Sequence, residues 1–548
     1  MHSTIDPVSL EILWSRLIAV ADEAATTLVR TSFSPTVRES NDYACVLFDA
    51  AGNAIAENTI GIPSFNMTLS RTLGHFLRLR PAESWSPGDV GITNDPWLAT
   101  GHLPDVTIVA PIFVGDQLVA WTGSVAHMVD IGGIAWSADG RQVFEEGLRI
   151  PPMMFLRAGK PNEDLLQIIR SNNRLPEQVI GDMMAMVAAG QIAQERLTEL
   201  MAEIGIEDLA EISGEIRGRA ERSMRAAITE IPGGTYRSVL DLDGAPDEPI
   251  HLEVTVTVAG DEMTVNYEGT SPQISSGLNT VMNYTEAYTC YPLKCLLDPA
   301  TPRNEGSYKP IRVSAPEGSI LNPRFPAAVN ARQLVGHVLS GMLCDALSRA
   351  IPKRIIGESG SAPTLRCMIT GLGENGRPFT SILFINGGMG ARPGADGLAT
   401  TCFPSTVMAG AMEAIEAVAP LRIWRKEFAV DSGGAGQFRG GLGQEVELEV
   451  LSAKNAIVSL FVERTRHPAR GVLGGKQAGG SRVQINGKSD GFPLKGRSRI
   501  SAGDRIQVRY SGGGGYGDPH ERDRAAVRAD VEAGIVSQKA AHEVYGLK

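Results

Sequence analysis

Two histidines and an aspartate in the first quarter of the chain carry side chains of the kinds that bind divalent metal ions. His102 and Asp105 form an H-x-x-D pair, and His127 lies in a second short motif downstream. Neutral imidazoles together with carboxylates suit zinc, manganese or iron, and the lack of a nearby cysteine argues against a closed, purely structural zinc site. The spacing alone leaves a second interpretation open, in which hydrogen-bonded polar residues close a hairpin.

The segments around these residues predict the geometry that joins them. Residues 106–113 and 118–125 are β-branched or apolar runs, and a glycine and an aspartate between them form a two-residue turn signal. This pattern predicts a β-hairpin. Around that turn the numbers of facing residues sum to 231, which places Asp105 opposite residue 126 and His127 opposite residue 104. The two motifs are therefore expected to meet at one end of the hairpin.

Composition is that of an ordinary globular protein. The chain has 548 residues, of which 43% are hydrophobic and 21% charged, and this length suits two or three units with their own cores. A formal net charge of −11 leaves no basic footprint for nucleic acid. Six scattered cysteines without a C-x-x-C motif indicate free thiols in a reducing compartment. With no signal peptide and no apolar run near the roughly 20 residues that span a bilayer, a cytoplasmic protein that does not bind membranes is expected.

The hydrophobic pattern predicts an α+β fold with several lobes and mostly antiparallel sheets. Asp6 and Pro7 match the start of a helix, residues 163–231 have helical spacing, and residues 251–267 alternate apolar and polar side chains. From these changes in hydrophobic pattern along the chain we expect three parts. They are an N-terminal metal-binding α+β lobe over 1–231, a middle hairpin and helical region over 232–350, and a β-rich C-terminal lobe over 351–548.

A glycine-rich run at 387–397 follows a predicted strand and precedes a predicted helix at 405–417. Such a connection can hold an anion on backbone N–H groups, and Arg392 would add a positive charge. The run is not G-x-x-x-x-G-K-[ST], so it does not match a nucleotide P-loop. A plain tight loop is the alternative interpretation.

Motifs spread over nearly the whole chain resemble those of the hydantoinase B/oxoprolinase family. This family contains partner-dependent subunits of ATP-dependent hydantoin and lactam amidohydrolases and of acetone and acetophenone carboxylases. The glycine-rich runs are unspecific one by one, but the set is specific. The matching runs are NDP at 94–96, GHLPDV at 101–106, AH at 126–127, DIGG at 130–133, EGLRIPP at 146–152, DSGGAG at 431–436, RGG at 439–441 and the glycine run at 512–519.

The resemblance implies one divalent metal ion, zinc or manganese, held by two histidines and two aspartates. These ligands fall on Asp42, His102, Asp105 and His127. Many relatives have a further histidine directly after the last of these, where this chain has Met128. The resemblance therefore assigns all four metal ligands to this chain, but it leaves the role of the further histidine without a matching residue.

The resemblance also implies a division of labour with a hydantoinase A-type subunit that uses ATP and magnesium. That subunit would phosphorylate the substrate, and this chain would hydrolyse the activated ring amide, a hydantoin or a lactam such as 5-oxoproline, within a hetero-oligomer. Asp130 is the candidate catalytic residue, with a structural turn carboxylate as its alternative. Arg392 and Asn304 are candidate substrate contacts, because both lie in polar or glycine-rich loops between regular elements. Two other functions stay open, namely part of a ketone carboxylase and a non-catalytic scaffold.

Overall fold

A computed structural model of the chain describes residues 5–245, 248–373, 375–451 and 454–548. It confirms the predicted α+β class. The helices are α1 Pro7–Thr31, α2 Pro35–Arg38, α3 Pro63–Leu79, α4 Val143–Glu146, α5 Glu163–Asn172, α6 Pro176–Ile204, α7 Ala210–Thr229, α8 Met282–Leu297, α9 Gln333–Gly336, α10 Leu339–Leu347, α11 Met412–Val418, α12 Arg524–Glu532 and α13 Gln538–Glu543. Within the described ranges, none of them is both long and apolar enough to cross a bilayer.

The first helix begins where the sequence predicts. The Asp6 side chain accepts hydrogen bonds from the backbone N–H groups of Val8 and Ser9 at 3.0 and 3.1 Å, which caps the helix ahead of the proline at its first position. Trp14 and Leu17 are buried on the apolar side of α1. That side packs along α6 and against the sheet beneath it.

A seven-stranded antiparallel sheet is the centre of the N-terminal part. Its strands are β1 Tyr43–Asp49, β2 Ala54–Glu57, β3 Val90–Thr93, β4 Asp105–Val114, β5 Gln117–His127, β6 Met153–Arg157 and β7 Lys160–Pro161. They lie in the order β2-β1-β5-β4-β3-β6-β7. Every residue of β1 is buried, so both faces of the sheet are covered there. Helices α1, α3 and α6 all contact this sheet.

A second, four-stranded sheet follows, with strands β8 Gly234–Ala245, β9 Glu248–Ala259, β10 Glu262–Asn266 and β11 Ile311–Ser314. The predicted alternation is confirmed, since buried and more exposed residues alternate along β9. Strand β9 pairs antiparallel with β10, while β11 pairs parallel to β10. One hydrophobic cluster contains residues from Leu10 to Val472, including residues on both sides of position 231. The division of the chain at 231 and 350 stays a prediction.

The last part of the chain contains a β-sandwich. Its strands are β12 Leu365–Leu372, β13 Pro378–Ile385, β14 Leu421–Phe428, β15 Gln444–Val450, β16 Lys454–Phe461, β17 Arg482–Ile485, β18 Lys495–Ile500 and β19 Arg505–Arg509. They form two antiparallel sheets in the orders β13-β12-β16-β18 and β14-β15-β19-β17. Residues of both sheets share one hydrophobic cluster, for example Val458 and Leu448, so the sheets pack face to face.

Six glycine-rich segments meet in an arrangement that we call the glycine bundle. Its segments are 357–360, 387–390, 433–434, 440–441, 471–475 and 512–515. A Cβ atom at Gly388 would overlap the carbonyl oxygen of Gly441, and one at Gly440 would overlap that of Gly513. Backbone hydrogen bonds join the segments, for example from Gly513 N–H to Gly441 O at 2.9 Å. Only residues without side chains allow backbones to approach so closely.

The helix predicted at 405–417 is wrong over its first half, because only α11 at Met412–Val418 is helical. The preceding residues bond to the N-terminal part instead. Met408 N–H donates to Ser40 O at 2.9 Å, and the Thr406 hydroxyl donates to Gly61 O at 2.7 Å. These long-range hydrogen bonds compete with the helical ones that the local pattern predicts.

Candidate metal centre

The predicted hairpin is formed by β4 and β5, and its register differs from the expected one. The pairs nearest the turn, such as Val114 with Gln117, follow the expected sum. A β-bulge between Ile112 and Phe113 then shifts the remaining pairs by one residue, so that Asp105 lies directly opposite His127. The bulge therefore brings two predicted ligands face to face, which agrees with the tendency of bulges to re-aim side chains near functional sites.

The loop that carries His102 is held from inside by Asn94. This buried side chain donates hydrogen bonds to Leu103 O at 2.7 Å and Leu148 O at 2.9 Å, and it accepts one from Ile150 N–H at 2.6 Å. Asn94 thus ties two of the recognised sequence motifs together. It thereby fixes the backbone between His102 and Asp105.

Asp105 is the hub of the site. Its Oδ1 atom lies 2.8 Å from His102 Nε2 and 2.8 Å from His127 Nδ1, and its Oδ2 atom accepts a 2.6 Å bond from Arg332 Nη2. Candidate ligand atoms of the three residues lie within 4.8 Å of one another, and all three side chains are buried. Burial opposes ionisation, but the charges and hydrogen bonds around it hold the pKa of the Asp105 carboxyl well below its usual range.

The tautomer of His102 shows that this donor set fits a cation. Its Nδ1 lies 3.0 Å from the carbonyl oxygen of Asn330, which can only accept, so Nδ1 carries the proton and Nε2 presents a lone pair. That lone pair faces Asp105 Oδ1, a second acceptor, without a hydrogen bond. Burial and the charge of Arg332 lower the pKa of His102 to about 3. A proton is therefore disfavoured between the two atoms, and a metal ion fits the donors.

His127 repeats the pattern with the same two nitrogens. Nδ1 bonds to Asp105, whereas Nε2 is buried and has no hydrogen-bond partner among the described residues. Metal-binding histidines typically use one nitrogen for the ion and the other for a hydrogen bond that fixes the ring. Both histidines therefore have the orientation of metal ligands.

Asp42 lines the same cavity but stands outside the compact group of three. Its backbone carbonyl accepts a bond from His127 N–H at 3.0 Å, which anchors the residue beside β5. The side chain is buried, and this burial raises the pKa of its carboxyl. Asp42 is thus placed where it can complete a ligand set with His102, Asp105 and His127, and its role as ligand stays a prediction.

The cavity around these residues contains about 260 Å³ of empty space, part of it open to solvent. Its wall combines residues from the N-terminal sheet with residues that come much later in the chain. Aromatic rings form one side, and Trp136 lies 4.6 Å from His127 between ring centroids. The lining residues are Asp42, Ile62, Phe65, His102, Asp105, His127, Trp136, Tyr284, Tyr288, Arg332, Gln333, Arg366 and Ser405.

Two arginines of this wall were missed by the sequence reasoning. Arg332 stands just before α9 and also donates to Thr100 O at 2.8 Å, while Arg366 is the second residue of β12. Both occur in apolar stretches without an acidic neighbour nearby in sequence. An arginine in an apolar stretch is expected to be buried, and a buried charge needs a partner. This sequence signal could have identified both residues as candidates for the site.

The other predicted site residues lie away from the cavity lining. Asp130 is buried and bonds through its carboxylate to Arg174 Nη1 at 2.7 Å and to Gly132 N–H at 3.2 Å, an arrangement that favours the turn-carboxylate alternative. Asn304 caps a short 3-10 helix, where it accepts from Gly306 N–H at 2.8 Å. Arg392 is exposed on a turn, and the amides of Gly388, Met389 and Ala391 donate to the backbone carbonyls of Ser511, Leu398 and Gly514. Those amides are therefore not free to hold an anion, and the roles of the three side chains stay predictions.

Glu146, from the EGLRIPP motif, holds the backbone segment whose carbonyl contacts His102. Its Oε1 accepts the N–H groups of Val329 and Asn330, both at 2.8 Å, and the Asn330 carbonyl in turn binds His102 and the Trp136 indole. Burial raises the pKa of Glu146 to about 8. The carboxyl group is therefore protonated in the folded protein near neutral pH.

This raised pKa makes the free energy of unfolding depend on pH. Between the ordinary value of 4.5 and about 8, the folded state holds a proton that the unfolded state has lost. The contribution of Glu146 to stability is therefore fully present below this window and falls as pH rises through it. Glutamine cannot titrate, so we expect Glu146→Gln to remove this part of the decline in the free energy of unfolding with rising pH.

Urea unfolding at about pH 5 and about pH 9 would measure the effect. Glu268→Gln is the control, because Glu268 is exposed and lies on a different element, so it should leave the decline of the free energy of unfolding unchanged. An equal loss of stability with pH in the wild type and in Glu146→Gln would contradict the prediction.

Comparisons with known proteins identify the family of the chain. The family model described as hydantoinase B/oxoprolinase matches residues 6–519. The beta chain of the caprolactamase of Pseudomonas jessenii is 29% identical over 567 residues, which cover 100% of this chain and 96% of the relative. The B chain of a putative D-/L-hydantoinase of Pseudomonas sp. (strain NS671) is 28% identical over 571 residues, covering 99% of this chain and 95% of the relative.

Solved structures share the fold over almost the whole chain. The ATP-dependent caprolactamase from Pseudomonas jessenii superposes with a TM-score of 0.92 at 29% identity and covers 99% of this chain and 96% of its own. Nucleotide-free acetone carboxylase gives a TM-score of 0.90 at 22% identity, with 99% and 79% covered, and at that identity the likeness concerns the fold alone. Since the family model matches residues 6–519, which include every element that carries the candidate metal centre, this chain belongs to the hydantoinase B/oxoprolinase family.

Proposed function

We propose that this chain is the hydantoinase B-type subunit of an ATP-dependent hydrolase of cyclic amides, and that it performs metal-assisted hydrolysis. The observation that carries the proposal is the pair of facing acceptors, His102 Nε2 and Asp105 Oδ1, in a buried cavity. The similarity to the beta chain of a caprolactamase supports the substrate class. A hydantoin or a lactam such as 5-oxoproline is the expected substrate.

The chain's own residues divide the work. Asp42, His102, Asp105 and His127 would hold one divalent ion, zinc or manganese, which supplies a Lewis acid and activates water near neutral pH. The Asn330 carbonyl fixes the His102 tautomer, and Arg332 keeps Asp105 ionised and in place. The aromatic wall limits the access of bulk water, which strengthens the electrostatic contacts inside the cavity.

Activation of the amide is assigned to a partner. Amide and lactam bonds are unreactive, and phosphorylation of the carbonyl oxygen provides an activated substrate. The sequence contains no nucleotide P-loop, and two relatives are named as the B or beta component of a multi-subunit enzyme. We therefore assign ATP and magnesium to a hydantoinase A-type ATPase subunit in a hetero-oligomer.

Reconstitution tests the proposal. Co-expressed with a hydantoinase A-type subunit, the chain is expected to open caprolactam, hydantoins or 5-oxoproline with ATP and to release phosphate, whereas the chain alone is expected to be inactive. His127→Ala should still assemble but lose metal and turnover. His251→Ala, at a half-exposed residue paired with Asp241, is the control.

Each other function has its own outcome in this experiment. Incorporation of carbon from labelled bicarbonate into a ketone substrate would support a carboxylase subunit. Full turnover in a complex that contains metal-free His127→Ala would support a scaffold. ATP-dependent turnover by the isolated chain would contradict the assignment of the ATP step to a partner.

A further inference from the structure

Arg366 is a buried arginine beside the candidate metal centre, and its guanidinium has an N–H donor without a hydrogen-bond partner. It is 5% exposed and lines the cavity together with all four predicted ligands. Nη1 donates to Thr364 O at 3.1 Å, while Nε has no hydrogen-bond partner. Among the described residues, no carboxylate forms an ion pair with it. The guanidinium instead lies over the rings of Trp136 and Phe384, at 5.4 and 5.5 Å from their centroids.

The second arginine of the cavity is in a different situation. Arg332 bonds to Asp105 and to Thr100 O and lies 4.0 Å above the Tyr284 ring. Its position is therefore explained by the ligand that it holds. Arg366 makes no comparable contact with any ligand, so its unsatisfied N–H group requires another explanation.

The sum of the formal charges in the cavity indicates which kind of group would pair with Arg366. As metal ligands, Asp42 and Asp105 carry two negative charges and the histidines are neutral, while Arg332 and Arg366 carry two positive charges. Binding a divalent ion would therefore leave an excess of two positive charges in a buried site. Uncompensated buried charge is strongly unfavourable, so the loaded site calls for an anion.

We propose that Arg366 binds the phosphoryl oxyanion of the activated substrate next to the metal ion. The inference rests on the proposed function and deepens it by naming the residue that recognises activation. A phosphoryl group carries nearly two negative charges near neutral pH, which matches the excess, and the planar fork of arginine suits its oxygens. A cyclic amide that has not been phosphorylated lacks this group. The site would thereby distinguish activated from inactive substrate.

Binding of inorganic phosphate to the full-length, metal-loaded chain tests the proposal by calorimetry, without any turnover. The wild type is expected to bind phosphate only when metal is present. Arg366→Met, which removes the charge and keeps similar length, should weaken binding by about tenfold or more, as expected for loss of a charge-assisted hydrogen bond. Arg366→Lys should fall between the two, because the charge remains and the fork is lost.

A matched control is available at Arg422, which lies over Trp424 in an exposed position. Arg422→Met should bind phosphate as the wild type does. Circular dichroism and metal content, expected to be unchanged in the Arg366 variants, would show that they fold. Acetate serves as the second ligand, and binding of acetate but not phosphate through Arg366 would overturn the phosphoryl assignment in favour of a carboxylate.

Two failures are distinguishable. If the wild type takes up no metal, the proposed function fails, and this inference fails with it. If the wild type takes up metal and Arg366→Met binds phosphate as tightly as the wild type, the inference alone is overturned.

Discussion

Replacing Asp105 by alanine is expected to remove the bound metal and to lower the free energy of unfolding by about 3–5 kcal/mol. The carboxylate contacts both histidines and pairs with Arg332 in a buried site. Its loss deletes one ligand and leaves a buried guanidinium without its partner, which is the more costly of the two effects for the fold. Metal analysis and urea unfolding of the purified variant would measure the two losses separately.

A double variant separates the two effects. Asp105→Ala combined with Arg332→Met leaves no unpaired charge at this pair and is expected to recover most of the lost stability. Metal binding should stay absent, because the ligand is still missing. Wild-type metal content in Asp105→Ala would refute the assignment of this ligand, and no recovery in the double variant would refute the explanation of the stability loss.

Replacing Gly440 by alanine is expected to destabilise the protein by more than about 3 kcal/mol or to prevent folding. The added methyl group would overlap the carbonyl oxygen of Gly513, a backbone atom that cannot rotate away as a side chain can. Several segments of the glycine bundle would have to separate together. Soluble yield and urea unfolding are the measurements.

Gly214→Ala is the matched control. Gly214 lies within α7, and a Cβ atom there meets nothing within 4 Å. The same substitution should stabilise the protein by about 0.5–1 kcal/mol, as expected for alanine in an exposed helix. Equal stability of Gly440→Ala and the wild type would show that the bundle can open to admit a side chain.

The sequence predicted the local part of the site and missed its long-range part. The runs flanking the turn were enough to predict the hairpin of β4 and β5. The bulge at Ile112 and Phe113 was missed, because an extra residue in one strand leaves the apolar pattern almost unchanged. Arg366 was missed because it reaches the cavity through β12, and no local pattern connects that strand to the hairpin.

The glycine-rich run at 387–397 left an anion-binding loop and a plain tight loop open for a related reason. Taken alone, this run has the composition of a loop that can hold an anion. In the structure, segments that are far apart in sequence place their glycines against each other, and their N–H groups bond to neighbouring backbones. Single-run composition cannot distinguish these cases, because the difference lies in which distant segment fills the space beside each glycine.

The glycine bundle also affects how stability depends on temperature. Its interior consists of peptide groups, whereas the sandwich formed by β12 to β19 buries apolar side chains such as Leu448 and Val458. Exposing apolar surface on unfolding raises the heat capacity, and exposing polar backbone lowers it. The bundle therefore reduces the heat-capacity change of unfolding relative to an apolar core of equal size. For the part of the chain that carries Arg366, the free energy of unfolding therefore curves less with temperature.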